Sequence, residues 1–143
     1  MKRTDAFCDT SALVPFFSDE PGSVYARSVL NRASVTVWWG TVVEMTSALT
    51  RLVRERTIEE PQKEKASARL RALRDRWIEV LPSERVRELA LVLVERHPLR
   101  AADALQLAAA LVWANERPRS RLFVCLDGRL AAAARKEGFE VAP

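Results

Sequence analysis

Leu122-Phe123-Val124-Cys125-Leu126-Asp127-Gly128-Arg129-Leu130-Ala131 changes character half-way, and that change decides the fold. Its first five residues are an unbroken apolar run, the pattern of a strand buried on both faces of a sheet. Asp127 ends the run and is suited to capping a helix. Arg129 to Glu137 then reads as that helix, and Gly138 stands where a left-handed residue stops it. Strand, acid, helix is a unit of parallel sheets covered by helices.

Working outward, the unit recurs at the N-terminus. Ala6-Phe7-Cys8 reads as a short buried strand ending at Asp9, and Asp9-Thr10-Ser11 offers three capping side chains before a helix over Ala12 to Phe17. Asp19-Glu20-Pro21-Gly22 reads as a turn and Ser23 to Asn31 as a helix. Val35 to Trp38 is β-branched and aromatic, a second strand. Gly40-Thr41 opens a helix to about Arg56, with Val42, Met45, Leu49 and Leu52 as its core stripe and Glu44, Ser47 and Arg51 on the next face. Pro61 opens a charged, mostly solvated helix from Gln62 to Arg76, before a third strand from Trp77 to Leu81. Ser83 is placed to cap a helix from Glu84 to Arg96, and Phe139-Glu140-Val141 reads as a last strand.

Between them lies Leu99 to Ala110, an Ala-rich helix preceded by Pro98. Leu105, Ala108, Ala109 and Val112 mark its expected buried stripe, and Asp103 is the one carboxylate in its first turn. The expectation is one α/β domain over residues 1–143, three layers α/β/α around a parallel sheet of four or five strands.

Composition narrows the function. Of 143 residues, 48% are hydrophobic and 29% charged, the balance of a globular protein. No apolar run is long enough to span a bilayer, and Met1-Lys2-Arg3-Thr4-Asp5 lacks the apolar core of a signal peptide, so a cytoplasmic protein without membrane contact is expected. Cys8 and Cys125 lie in apolar runs and are expected to be free thiols; with one histidine they make no zinc set. His97, between Arg96 and Pro98, reads as a loop residue. The formal charge of +4, carried mostly by arginine, permits attraction to phosphate without establishing it.

Ligands of parallel α/β sheets bind outside the carboxyl ends of the strands. Asp9 and Asp127 end strands, while Glu44 and Asp103 sit in opening turns of helices that start at the same edge. Singly, each has an ordinary explanation: Asp9 and Asp127 as N-caps, Glu44 as a solvated helix residue, Asp103 as a partner of the helix dipole. Together they are anions that must hold protons or a cation. Carboxylates without His or Cys suit Mg²⁺ or Mn²⁺, and such ions polarise water for attack on phosphate. Metal-assisted phosphodiester hydrolysis is therefore the reading of the residues. Other phosphate chemistries lack their marks: no Gly-rich phosphate loop, no second aspartate two residues after Asp9, no lysine directly after the last long strand. A Ser-His-Asp set has only His97 to draw on.

Four stretches carry a resemblance. Cys8-Asp9-Thr10-Ser11-Ala12-Leu13-Val14, Glu44-Met45-Thr46-Ser47-Ala48-Leu49-Thr50-Arg51, Arg100-Ala101-Ala102-Asp103-Ala104-Leu105-Gln106 and Val124-Cys125-Leu126-Asp127-Gly128-Arg129-Leu130-Ala131 resemble, in order, the four motifs of PIN-domain ribonucleases of the VapC toxin type. The resemblance covers nearly the whole chain. It departs at Cys125, where such proteins often have Thr, and at Gln106, where some have His. It implies a PIN-like fold and Mg²⁺- or Mn²⁺-dependent RNA cleavage. Asp9 and Asp103 would be the central metal ligands, Glu44 and Asp127 would complete the shell, and Thr10 and Ser11 would assist. It further implies a homodimer and a VapB-like antitoxin whose tail enters the site. Ala12, Leu13, Phe16, Phe17, Leu49, Leu52 and Val53 are candidates to grip that tail, with core packing as the competing role. Arg51, Arg54 and Arg100 are the expected RNA contacts, unless they pair with surface acids such as Glu55. The alternative is a catalytically weak PIN-like module that binds RNA or protein without cutting.

Overall fold

The computed structural model describes residues 3–14 and 21–142, with backbone alone over residues 21–26. Strands β1 (Thr4–Cys8), β2 (Ala33–Trp38), β3 (Ile78–Val80), β4 (Leu122–Val124) and β5 (Glu140–Ala142) form one sheet in the order β3-β2-β1-β4-β5. Every neighbouring pair is parallel. The helices are α1 (Thr10–Leu13), α2 (Pro21–Arg32), α3 (Thr41–Arg54), α4 (Glu60–Arg74), α5 (Glu84–Arg96), α6 (Ala101–Trp113) and α7 (Gly128–Glu137). Among the described residues no helix is long and apolar enough to cross a membrane.

The period-two alternation of a strand divides the core in two. Phe7, Phe123 and Trp38 pack with α5, α6 and α7, Phe7 stacking on Phe123 at 5.7 Å between ring centroids. Ala6, Cys8, Val35, Val37 and Val124 face the other way, onto Leu13, Leu30, Met45, Leu70 and Leu73. Both faces are covered, which is the three-layer α/β/α arrangement with all five strands parallel.

The sequence reading and the structure part in instructive places. Strand β4 stops at Val124; Cys125 follows it buried, its N–H still donating to Ala142 O at 2.9 Å, and Leu126 is exposed. Trp77 lies just before β3 rather than in it, and is buried. Helix α4 is less solvated than its charge suggests, because Ala66, Leu70 and Leu73 face the core. The largest difference is α6. Ala104 and every residue from Gln106 to Leu111 are buried, while Leu105 and Val112 of the expected stripe are only partly so. A helix apolar nearly all round is enclosed by neighbours on several sides, and α6 packs against α5, β2, β3 and α7. Pro21 and Gly22 begin α2 instead of closing a turn; Asp19, Glu20, Phe16 and Phe17 lie outside the described residues.

The topology fixes where a ligand would sit. From β1 the chain steps outward to β2 and β3, then returns to the other side of β1 for β4 and β5. The order reverses between β1 and β4, and the crevice at such a switch point is the usual binding position of these sheets. Asp9 follows β1 directly, its N–H donating to Val124 O at 3.0 Å. Gly40 makes the tight entry to α3 on the other side: a Cβ there would meet Trp38 Nε1 at 2.6 Å.

Candidate active site

Four elements deliver four carboxylates to this edge. Asp9 caps α1, and its Oδ2 accepts from Ser11 N–H at 3.1 Å and from the Ser11 hydroxyl at 2.6 Å. Asp127 caps α7, with Oδ1 accepting from Leu130 N–H at 2.9 Å. Asp103 is the third residue of α6 and takes a backbone hydrogen bond from Arg100, the cap of that helix. Glu44 lies in the first turn of α3, where Thr10 Oγ1 donates to its Oε2 at 2.5 Å. The capping roles of Asp9 and Asp127 are real and coexist with the convergence.

Electrostatics link the four. Burial pushes Asp9 up to about 6; the Ser11 donors oppose this, and the charges of Glu44 and Asp103 add to it. Asp103 is also raised, by burial first and then by Asp127, against the pull of Arg100. Glu44 to Asp9 to Asp103 to Asp127 is thus a chain of like charges, opposed at Asp103 by Arg100, and none of the four makes a salt bridge among the described residues. Asp9 is only 4% exposed, so this repulsion acts where water screens it least.

Two residues outside the acidic set shape its frame. Cys125 packs its thiol 3.7 Å from Asp9 Oδ2 and 3.4 Å from Asp127 O. Burial, then the Asp9 charge, pushes that thiol up to about 12, so it stays protonated and serves as a donor. Both cysteines are free. Gln106, 1% exposed, sends its amide to Thr10, Thr41 and Glu44, facing the interior of the frame and not a substrate surface. Thr41 is not legible as a site residue in the sequence; Gln106 stands out there only as a departure from the family pattern, and the signal for its role is one amide among the buried apolar positions of α6.

Ser11 ties the two strand ends together. Its hydroxyl accepts from Leu126 N–H at 2.9 Å while donating to Asp9, so the turn after β4 is fastened to the turn after β1. Arg51, Arg54 and Arg100 are exposed, and none makes a salt bridge within 4.0 Å among the described residues, Glu55 included. Trp39, Val43 and Leu126 expose apolar surface close by in the chain to Thr41, Glu44 and Asp127. Ala12, Leu13 and Leu49 are core residues and cannot grip a peptide from outside; Leu52 and Val53 are half-buried. His97, expected in a loop, is the buried C-cap of α5 and bonds Glu137.

The match of residues 6–141 to the PIN domain decides the family. The chain belongs to the PIN-domain family. Solved structures with the same fold include PAE2754 from Pyrobaculum aerophilum, 21% identical with a TM-score of 0.66 over 96% of this chain and 89% of that one. VapBC2 from Rickettsia felis, solved with a DNA fragment from their promoter, is 10% identical with a TM-score of 0.67 over 96% and 98%. FitAcB from Neisseria gonorrhoeae is 16% identical with a TM-score of 0.63 over 96% of each chain. No curated protein is similar enough in sequence to be matched to it.

The donor chemistry of this PIN domain fits a hard divalent cation. The groups are carboxylates, the nearby thiol is held as a thiol, and His97 is engaged by Glu137. Asp9 Oδ1, Asp127 Oδ2 and Glu44 Oε1 carry no protein donor among the described residues, so each acid keeps one oxygen for a ligand. The side chains form no ready-made cage: among the described residues no three His, Cys, Asp or Glu side chains are grouped closely enough to hold an ion as they stand.

Proposed function

We propose that this PIN domain is a divalent-metal-dependent endoribonuclease that acts as the toxin of a toxin–antitoxin pair. The observation that carries the reading is a buried carboxylate, Asp9, pushed up to about 6 at the switch point of the sheet, with Glu44 and Asp103 acting on it and Asp127 acting on Asp103. Folding pays a penalty to keep such a group anionic, and a cation from outside the chain removes it. Asp9 and Asp103 would hold Mg²⁺ or Mn²⁺, with Glu44 and Asp127 completing the set. The ion would offset the charge of a phosphodiester and make water a better nucleophile.

The chain's own residues would do the rest. Ser11, Thr10 and Leu130 N–H orient the carboxylates, and Arg51, Arg54 and Arg100, which make no salt bridge among the described residues, would draw the phosphate backbone toward an edge that would otherwise repel it. The VapBC2 and FitAcB structures motivate the partner: a VapB-like antitoxin presenting a basic, partly apolar segment to the acidic crevice. A homodimer in the cytoplasm belongs to the same reading.

The test is cleavage of single-stranded RNA by the purified chain with Mg²⁺, Mn²⁺ or EDTA, with 5′-end mapping of the products and an Asp9→Asn control. Metal-dependent fragments absent from the control support the reading. RNA binding without cutting would move it to the non-catalytic module. Co-expression with the neighbouring small reading frame tests the antitoxin: toxicity that no neighbour relieves would leave a nuclease without a toxin role.

A further inference from the structure

Gln106 is the only polar residue among the buried positions of α6, and its surroundings define what it does. Its Nε2 lies 2.9 Å from Thr10 Oγ1, 3.1 Å from Thr41 Oγ1 and 3.1 Å from Glu44 Oε2. Those three residues stand at the starts of α1 and α3, so one amide on α6 ties together the helices that follow Asp9, carry Glu44 and carry Asp103. The amide turns its NH₂ group, and not its carbonyl oxygen, toward Glu44.

The consequence falls on Glu44. Its Oε2 accepts from Thr10 at 2.5 Å and from Gln106 at 3.1 Å, which uses that oxygen. Its Oε1 takes no donor among the described residues. We propose that Gln106 is a positioning residue: with Thr10 it pins one oxygen of Glu44, so that the acid enters the site with Oε1 alone. The opposite end of the amide supports this role. Gln106 Oε1 is buried without a hydrogen-bond partner, a cost retained for the sake of the donor end. A core residue selected for packing alone would be Leu or Met at this position. The inference rests on the functional reading above, because Glu44 matters only if the acids take up a metal.

The test is a double-mutant cycle between Gln106→Met, which keeps the volume and removes the donors, and Glu44→Gln. The readouts are Mn²⁺ affinity of the free protein by titration calorimetry, Tm without metal, and kcat and KM on a single-stranded RNA oligonucleotide. With Glu44 intact, Gln106→Met is expected to weaken Mn²⁺ binding and lower kcat by about tenfold each with KM unchanged, as for a lost hydrogen bond to a charged group. In the Glu44→Gln background the same change should alter Mn²⁺ affinity by less than about twofold, since the acid it serves is gone. A Tm loss equal in both backgrounds would accompany this and reports packing only. Should Gln106→Met not fold, Gln106→Asn withdraws the amide by one methylene, and the same background dependence is expected. Equal loss of affinity in both backgrounds, or no loss in either, overturns the positioning role. Absence of Mn²⁺ binding by the unmutated chain overturns the functional reading itself, and the positioning role with it.

Discussion

Asp9 and Glu137 are both carboxyls withdrawn from water, and they titrate in opposite directions. Burial raises each of them. At Glu137 the hydrogen bonds from His97 and Arg96, with their charges, overcome burial and hold the carboxyl below the usual range. The contacts are close: His97 Nε2 at 2.6 Å, Arg96 Nη1 at 2.8 and 3.0 Å. At Asp9 the Ser11 donors fail to overcome burial because the other neighbours are Glu44 and Asp103. The α5–α7 pair is compensated within the chain, whereas in the crevice the carboxylates raise one another. Buried charge that is compensated internally is architecture; buried charge that is not marks a site.

Breaking the crevice side of this comparison gives the largest effect. Asp9→Asn and Asp103→Asn should each lower RNA cleavage by about a hundredfold or more, the order of loss seen when an oriented electrostatic group is removed from an active site. Both variants should fold: Asn caps a helix as well as Asp does at position 9, and position 103 is only half-buried and is not the cap of its helix. Cleavage at the unmutated rate by Asp103→Asn protein free of wild-type enzyme would remove that residue from the site.

The same substitution should sharpen the comparison in stability. The folded-state pKa of Asp9 lies above its ordinary value, 3.8 against about 6, so the folded form loses stability as pH rises between them. Metal-free Asp9→Asn protein should therefore be more stable than the parent at pH 7, by at most about 3 kcal/mol. The gain should shrink as pH falls toward 3.8 and vanish well below it, where the parent's carboxyl is protonated in both states. Urea unfolding in EDTA at pH 4, 5.5 and 7 measures it; a gain that does not depend on pH would mean that charge is not its origin.

How much of this was legible beforehand follows from what sequence periodicity records. The strand-acid-helix units at Asp9 and Asp127 were readable because β-runs, caps and Gly138 are local signals. The α/β layering followed from their alternation. Gln106 was read at the helix start near the acids, but its burial was not, because α6 is enclosed by four elements and only tertiary packing reveals that. His97 failed for the same reason: its partner Glu137 is 40 residues away. The short β4 was overread since Cys125 and Leu126 continue the apolar pattern, although the strand itself ends at Val124.

On the paired side, Glu137→Gln should destabilise the protein at pH 7 by roughly 1–2 kcal/mol, the scale of hydrogen bonds to a charged group, with cleavage unchanged. Because the folded-state pKa of Glu137 is lowered, its contribution is present above the ordinary carboxylate range and is lost as pH falls through the lowered value. The gap between parent and variant should therefore narrow in acid, the reverse of the Asp9 trend. Parallel trends for the two residues would erase the distinction drawn between the sites.

The smallest effect concerns how an anionic crevice receives an anionic substrate. Arg54 lies on the exposed side of α3, where it borders a groove of about 440 Å³ with Val42, Val43, Thr46, Ser47 and Thr50. Arg100 caps α6, and its charge already pulls against the rise at Asp103. Both are exposed and make no salt bridge among the described residues, and each exposed contact with phosphate is worth about 1 kcal/mol or less at moderate salt. Arg54→Glu should weaken RNA binding several-fold at low salt and flatten the salt dependence by about one phosphate contact, a log–log change near 0.7 for a single strand. Its kcat should hold, because among the described residues Arg54 makes no salt bridge to the four acids. Arg100→Glu should lower affinity similarly but also lower kcat, since reversing that charge adds to the repulsion on Asp103. Binding measured by anisotropy across a salt series separates the two. If both variants bind RNA with the parent's affinity and salt slope, the backbone approaches from a different side of the sheet, and the electropositive path must be sought away from α3 and the start of α6.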